Sequence, residues 1–554
     1  MPQARRRHCC IAWRDCLILL VIGLVVRSVG LDFGLPCAIA RPDEETVVDN
    51  VLQMENLPDW NPRFFSYPSL LLYTSYGCDK ALLMVARLVG TTNAKTLNAL
   101  FIENPVPFHL VLRVISVICG AFTVVVVYLA ARRLYGRQTG LLAGLAICLS
   151  YLHVRDSHFG VTDVPCVFLA AAAFWRLTEY HFRGGFRHLA AASILAGLAI
   201  GTKYTAAWLC CPFAVAVIRQ AWRRRQNDPL LYGVGMTLAS TTIALGAFYC
   251  TTPYFFHDFD AAWKSFTWEM LLLSDEKVMV TGTNSYLDHF RISLWYGLGW
   301  PVLLAALAGG LWMALRRDTR GLLLWSLPVT YYLFTGRSGR FLIRYMDITL
   351  PFLTMAAAWT VRSAYVVWKR RRAAGHPSCR QLTRVLPTIV VLIMLAPGIV
   401  RIVAFDQRIS RTDSRADLRA WMLANIPADE PVLWSGGWAS MPYMMHHVAI
   451  RRLHGTERVR PELLRDPEAI YAYRWIVLVD WPRVYYSGGQ NTQERAFLAE
   501  KMAGRYALVH QIDEYKASLP PELFCSLDYF FMSFQKPWIL DRPGPGFRVY
   551  RRLD

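Results

Sequence analysis

A polytopic α-helical membrane protein with a C-terminal soluble α/β domain is the fold class this sequence predicts, and three observations predict it. Hydrophobic residues make up 54% of the 554 positions and charged residues only 18%, against about 25% charged in an average soluble chain. Mean hydropathy is +0.27. Long apolar runs recur up to residue 404 and then stop. Lys and Arg collect in alternate gaps between those runs, as in cytoplasmic loops. For most of the length this excludes a soluble globule, a disordered chain, a collagen and a small disulfide scaffold. The formal charge of +20 then reads as topology rather than nucleic-acid affinity.

A ~30 Å hydrocarbon core needs about 20 apolar residues per crossing, fewer where neighbouring helices shield the span. Runs lie near 16–33, 108–131, 138–154, 164–180, 188–202, 204–220, 230–250, 293–315, 320–335, 341–364 and 384–404, which predicts about 11 transmembrane helices. The first run follows a basic start but is interrupted by Arg27 and followed by no A-x-A site, so it is read as a retained helix. Arg27 and Arg113 lie near span ends and are expected to snorkel.

With the N-terminus in the cytoplasm beside Arg5, Arg6, Arg7 and Arg14, the inner loops collect basic residues. They hold Arg132, Arg133 and Arg137; Arg176, Arg183 and Arg187; Arg219 and Arg223 to Arg225; Arg316, Arg317 and Arg320; and Lys369 to Arg372, Arg380 and Arg384. The acids among them are Asp15, Glu179, Asp228 and Asp318. The alternate loops carry acids instead: Asp43, Glu44, Glu45, Asp156, Asp163, Asp258, Asp275 and Glu276. Residues 68–90 would reverse this order if they crossed. With Asp79 and Lys80 at mid-length, costly at a bilayer centre, they are read as a helix in the outer interface. The first outer loop then runs from about 34 to 107 and holds interfacial helices.

Residues 1–404 form the membrane domain in this reading and 405–554 an extracytoplasmic α/β domain. RADLRAWMLANI (415–426) has helical spacing and stops at Pro427. Strands are expected at 431–437, 475–481, 506–512 and 547–553.

Thirteen cysteines include no CxxC and read mostly as small apolar fillers. Cys37 and Cys78 could pair across the first outer loop. The outer face gathers the unusual polar residues. Asp43, after Pro42 and before an amphipathic TVVDNVLQMEN, is either an N-cap or a carboxylate general base with Glu44 orienting it. Thr162-Asp163-Val164-Pro165 is a helix start with Thr162 or Asp163 capping, or a second acid at the same face. His153, Asp156 and His158 could be metal ligands but have no diagnostic metal spacing; no cofactor is certain, and a divalent metal stays open. Lys203, against the charge rule, is either a snorkelling lysine or a cation for a phosphate. Arg337, Arg340 and Arg344 suit bidentate phosphate recognition, or contact lipid headgroups. No GxxxxGK[ST] and no strand–GxGxxG–helix occur, so neither ATP nor a nucleotide-sugar donor has support.

Taken together these stretches resemble the polytopic GT-C glycosyltransferases, in the protein-O-mannosyltransferase-like branch that includes bacterial lipid-linked sugar transferases. RPDE (41–44) resembles the family's Pro-Asp-Glu motif, with Arg41 at the place often held by His. FSYPSLLLY (65–73) resembles the Tyr-Pro-Pro start of an interfacial helix, with Ser69 replacing the second proline. DSHFGVTDVP (156–165) resembles the turn carrying a second acid, and IRYMDITLP (343–351) an Arg-Tyr stretch ending in Leu-Pro. The segment from Thr412 and the closing GPGFRVYRR resemble the outer domain of bacterial relatives.

The resemblance implies transfer of a sugar from a polyprenyl-phosphate carrier to a protein, lipid or glycan acceptor on the non-cytoplasmic face, with inversion. By position Asp43 would be the base, with Glu44 and Asp163 as supporting acids. Lys203, Arg344 and Arg340 would hold the donor phosphate, and Tyr67 and Tyr345 would line the substrate cavity. The expected place is a bacterial inner membrane with the C-terminal domain periplasmic or extracellular, and no nucleic acid is involved. Two alternatives keep the topology: a polyprenyl-linked sugar flippase or other transporter, and a non-catalytic envelope assembly protein.

Overall fold

The computed structural model describes residues 2–36, 41, 43–224, 228–274, 284–339, 341–373, 380–427, 430, 432–435, 457–458, 467–480, 499–513 and 534–553. In chain order the helices begin with α1 (Pro2–Arg27), α2 (Glu44–Met54), α3 (Leu70–Val89), α4 (Leu97–Glu103), α5 (Val106–Tyr135) and α6 (Arg137–Cys148). Then come α7 (Tyr151–Ser157), α8 (Asp163–Arg183), α9 (Phe186–Ile200), α10 (Cys210–Arg223), α11 (Pro229–Thr251), α12 (Tyr254–His257) and α13 (Phe259–Ser274). The last are α14 (Ser285–Asp288), α15 (Trp300–Leu315), α16 (Thr319–Gly336), α17 (Leu350–Ala373), α18 (Arg380–Ile409) and α19 (Ser414–Asn425).

The eleven apolar runs fall mainly on helical structure, as backbone polar groups in lipid require, although the run 16–33 leaves its helix after Arg27. Among the described residues five helical stretches are long and apolar enough to cross a membrane, including Val106–Tyr135, Pro229–Thr251, Ser285–Leu315 and Ile343–Arg370. Several runs are broken where the sequence pattern shows none. The run 138–154 divides into α6 and α7, and 204–220 opens with a 3₁₀ turn, Tyr204–Leu209. A π-helix, His289–Gly299, leads into α15, and a 3₁₀ turn, Ile343–Thr349, leads into α17.

The chain divides into two compact units. The first comprises Met1–Val29, Asn56–Gly77 and Leu112–Ile402. Small residues set its helix packing. A Cβ on Gly197 of α9 would overlap the Ala244 carbonyl of α11, and one on Gly309 of α15 would overlap Thr360 Oγ1 of α17. Asp15 joins three helices: it takes Arg137 Nε and Nη2 at 2.7 and 2.8 Å and the Tyr128 hydroxyl at 2.8 Å. Arg27 does not snorkel. Its side chain is fully buried and donates to the Ile147 and Cys148 carbonyls at 3.4 Å and to Ser157 Oγ at 3.1 Å. The last carbonyls of α6 lack intrahelical partners, and a guanidinium at that end supplies donors and suits the dipole. Arg113 is likewise buried.

The second unit comprises Gly30–Glu55, Cys78–Val111 and Val403–Asp554. Val47, Val48, Val51 and Leu52 bury one face of α2, as their spacing predicts. Glu55 closes the start of α4, accepting from the Leu97 and Asn98 amides at 2.9 and 3.0 Å and from Lys80 Nζ at 2.5 Å. Cys78 is exposed, and Cys37 lies outside the described residues.

The same unit holds a five-stranded mixed sheet: β1 (Val432–Ser435), β2 (Glu457–Arg458), β3 (Trp475–Asp480), β4 (Tyr506–Ile512) and β5 (Gly546–Arg552), in the order β2-β1-β3-β5-β4. β1 runs parallel to β2 and β3, and β5 antiparallel to β3 and β4. Four strands lie where alternation predicted them; β2, two residues long, carries no pattern to read. Trp434, Val477, Phe547 and Val549 pack with Leu418 and Met422 of α19. Asp413 starts α19 by accepting from the Arg415 amide at 2.9 Å and forms a buried ion pair with Arg415 at 2.7 Å.

Candidate functional site

In the first unit the turn between α9 and the following 3₁₀ segment presents Lys203. Leu70 N–H donates to the Gly201 carbonyl and the Tyr204 hydroxyl to the Phe65 carbonyl, each at 3.0 Å. The Phe65–Leu70 stretch is thus fixed to that turn, with the Tyr67 ring 5.7 Å from Phe64. Lys203 Nζ lies 2.5 Å from Asp163 Oδ1 and 5.7 Å from the centre of the Tyr345 ring. Burial opposes the lysine charge, yet Asp163 beside it outweighs both burial and the repulsion of Arg344, and the Lys203 pKa is raised. Lys203 therefore does not snorkel: only 15% of its side chain is exposed. Thr162, at the start of α8, makes no side-chain cap, and the Asp163 carboxylate is turned to Lys203.

Further charge surrounds this pair. Arg344 is nearly buried, and Arg155 Nε meets Asp156 Oδ1 at 2.7 Å with both side chains inside. Asp347, 1% exposed, has neither carboxylate oxygen in a hydrogen bond among the described residues, and it feels the charges of Asp156, Asp163 and Arg155. Asp347 and Arg155 were missed in the sequence. An acid inside the apolar run 341–364 was the available signal. Arg337 is exposed, and Arg340 lies outside the described residues.

No group of three His, Cys, Asp or Glu suited to a metal occurs among the described residues. The His158 ring nitrogens face the Val154 and Val29 carbonyls at 2.9 and 3.0 Å, and His153 Nδ1 faces Ser157 Oγ and Arg27. These two rings are thus turned to packing partners.

Asp43 and Glu44 belong to the second unit. Asp43 occupies the N-cap position of α2, but its side chain makes no cap hydrogen bond. Its backbone is left-handed, φ 75° and ψ −21°, a region that L-residues other than glycine adopt at a cost. Arg41 and Glu44 are buried. Glu45 has a buried Oε2 without a hydrogen-bond partner. Burial first, then the charges of Asp43, Glu44 and Asp49, push its pKa up to about 8.

Residues 107–247 match the sequence profile of a family described as dolichyl-phosphate-mannose-protein mannosyltransferase. No curated protein matches the chain. Among solved structures the chain is similar to ArnT from Cupriavidus metallidurans bound to undecaprenyl phosphate: 15% identity, 96% of this chain, 97% of that one, TM-score 0.49. It is also similar to the Archaeoglobus fulgidus oligosaccharyltransferase tethered to an acceptor peptide with the NVT sequon, and to the archaeal AglB in complex with an inhibitory peptide and a dolichol-phosphate. Each of these has 12% identity over 84% of this chain and 69% of that one, TM-score 0.48. The matched residues carry both Asp163 and Lys203, so over 107–247 the chain is similar to that mannosyltransferase family.

Proposed function

We propose that the chain is a membrane glycosyltransferase that moves a sugar from a polyprenyl-phosphate-linked donor to an acceptor hydroxyl at the non-cytoplasmic face. The observation that carries this reading is the buried Lys203–Asp163 pair next to Arg344, with both partners of the pair inside the mannosyltransferase-like stretch. An isolated buried ion pair is weak evidence for stability. Here it holds an ammonium in place, still charged, with two further N–H donors.

The chemistry is an inverting displacement. The acceptor oxygen forms a bond to the anomeric carbon while Asp43 takes its proton. The bond from that carbon to the phosphate oxygen breaks, and its electron pair leaves with the polyprenyl phosphate. Lys203 and Arg344 stabilise the developing negative charge, and fixed donors cost little reorganisation. Glu44 and Asp163 act by position: Glu44 beside the base, Asp163 on the lysine. Tyr67 and Tyr345 give the sugar aromatic walls.

The test uses purified protein in detergent with a panel of radiolabelled polyprenyl-phosphate sugars, comparing wild type with Asp43→Asn. Asn tolerates the left-handed backbone nearly as well as Asp, so the variant removes the base and keeps the fold. Sugar release or transfer should fall about a hundredfold or more. Equal turnover would remove Asp43 from the chemistry, and no turnover with any donor would favour the transporter or assembly readings.

A further inference from the structure

A second charged feature lies in the first unit, among helix ends that bear the basic loops. There α5 ends at Tyr135, α6 begins at Arg137, α15 ends at Leu315 and α16 begins at Thr319. They surround a cavity of about 330 Å³, within the size range of small-ligand sites. One face of α17 forms its long wall, with Trp359, Arg362, Ser363, Val366 and Arg370 at helical spacing.

Its floor is aromatic: Trp359 lies 5.2 Å from Trp312 and 5.9 Å from Tyr135. Arg316 stacks over Trp312 at 5.0 Å and Arg320 over Tyr135 at 5.3 Å. Among the described residues no carboxylate lines the cavity; Asp318, just outside, engages Arg320 through paired contacts of 2.8–3.1 Å. Arg362 Nη1 is buried and has no hydrogen-bond partner among the described residues. An orphaned guanidinium donor in a cavity of arginines is a costly arrangement, and an anion would relieve it. The N-terminal end of α6, which has no side-chain cap, adds a positive dipole end beside Thr139, whereas Asp318 caps α16 through the Arg320 amide.

The positive-inside rule explains why arginines collect in such loops. It does not explain why half-buried Arg362 turns an unpartnered Nη1 inward, or why others are stacked on aromatic faces around a cavity. We infer that this cavity binds a phosphate ester, with the arginines on the phosphate and the Trp312–Trp359 floor against the apolar part of the ligand. The site is separate from the Lys203–Asp163 cluster and does not depend on any reading of the sugar-transfer chemistry. The phosphate can come from an anionic lipid headgroup or from a soluble ester.

The experiment is thermal melting and native mass spectrometry of the full chain in detergent, titrated with phosphatidylglycerol, phosphatidylcholine and glycerol 3-phosphate. Two variants accompany it: Arg362→Gln, which removes the orphaned donor, and Ser363→Glu, which adds a carboxylate and leaves every arginine in place. Phosphatidylglycerol should raise the melting temperature of the wild type, with half-saturation at about tenfold lower concentration than in either variant, as loss of a charge-assisted contact implies. Phosphatidylcholine should give no such shift. Saturable binding of glycerol 3-phosphate that both variants weaken would keep the site and make its occupant a soluble ester. The inference is overturned if both variants bind phosphatidylglycerol as the wild type does, or if phosphatidylcholine binds equally well.

Discussion

Asp43 combines two properties seldom found together in a helix-start residue: a left-handed backbone and a side chain not spent on capping. Strain of this kind costs of order 1–3 kcal/mol and clusters at functional sites. Two residues on, Glu45 shows what carboxylates crowded at this position do to one another. Its folded pKa of about 8 stands above the ordinary 4.5, so between those pH values the folded chain holds a proton that the unfolded chain releases. The resulting stability is complete below about pH 4.5 and is lost as pH rises through 8. Glu45→Gln should therefore flatten the fall in melting temperature that the wild type shows from about pH 5 to 8; parallel curves would contradict this. Lys203→Ala should leave the Asp163 carboxylate buried without its partner, lowering kcat more than it raises KM if Lys203 acts on the leaving phosphate. Asp43, Glu44, Asp163, Lys203 and Arg344 stand out in the sequence as candidates because each breaks a rule of its surroundings: an acid run beside a proline, or a cation among outer-loop acids. Asp347 and Arg155 escaped because only the fold brings them near Asp163.

At the scale of elements, apolar length decided helix or strand correctly throughout, because lipid leaves the backbone no other choice. The interruptions were not legible. A 3₁₀ turn at Ile343–Thr349 or a π-helix at His289–Gly299 depends on which neighbour a helix must avoid, and composition alone does not record that. Arg27 was misread for a related reason: its proximity to a span end suggested snorkelling, whereas the end of α6 supplies carbonyls for it inside the protein. Glycine marks the closest helix approaches. Gly197→Val must push α9 from α11 and should cost roughly 1–3 kcal/mol, read as a lower melting temperature in detergent. In the sheet, Trp434→Ala should cost about 3–5 kcal/mol, since the indole is fully buried among Val477, Phe547 and Leu418.

For the whole molecule, the basic loops predict orientation. An epitope inserted between Arg372 and Arg380 should be reached by antibody only after permeabilisation of sealed right-side-out vesicles, and one following Leu553 without it. Reversed access would invert the topology and put the acidic loops on the cytoplasmic face. The sheet adds a constraint of timing. β5 follows every other strand in the chain yet lies inside the sheet, hydrogen-bonded to β3 on one side and β4 on the other. Until β5 emerges, β3 and β4 have no direct partner in each other, and each keeps open the edge that β5 will fill. Only the arrival of the last strand zips them together. Completion of this sheet therefore waits for β5, and a chain that stalls before Gly546 would expose two sticky strands to whatever quality-control machinery meets it.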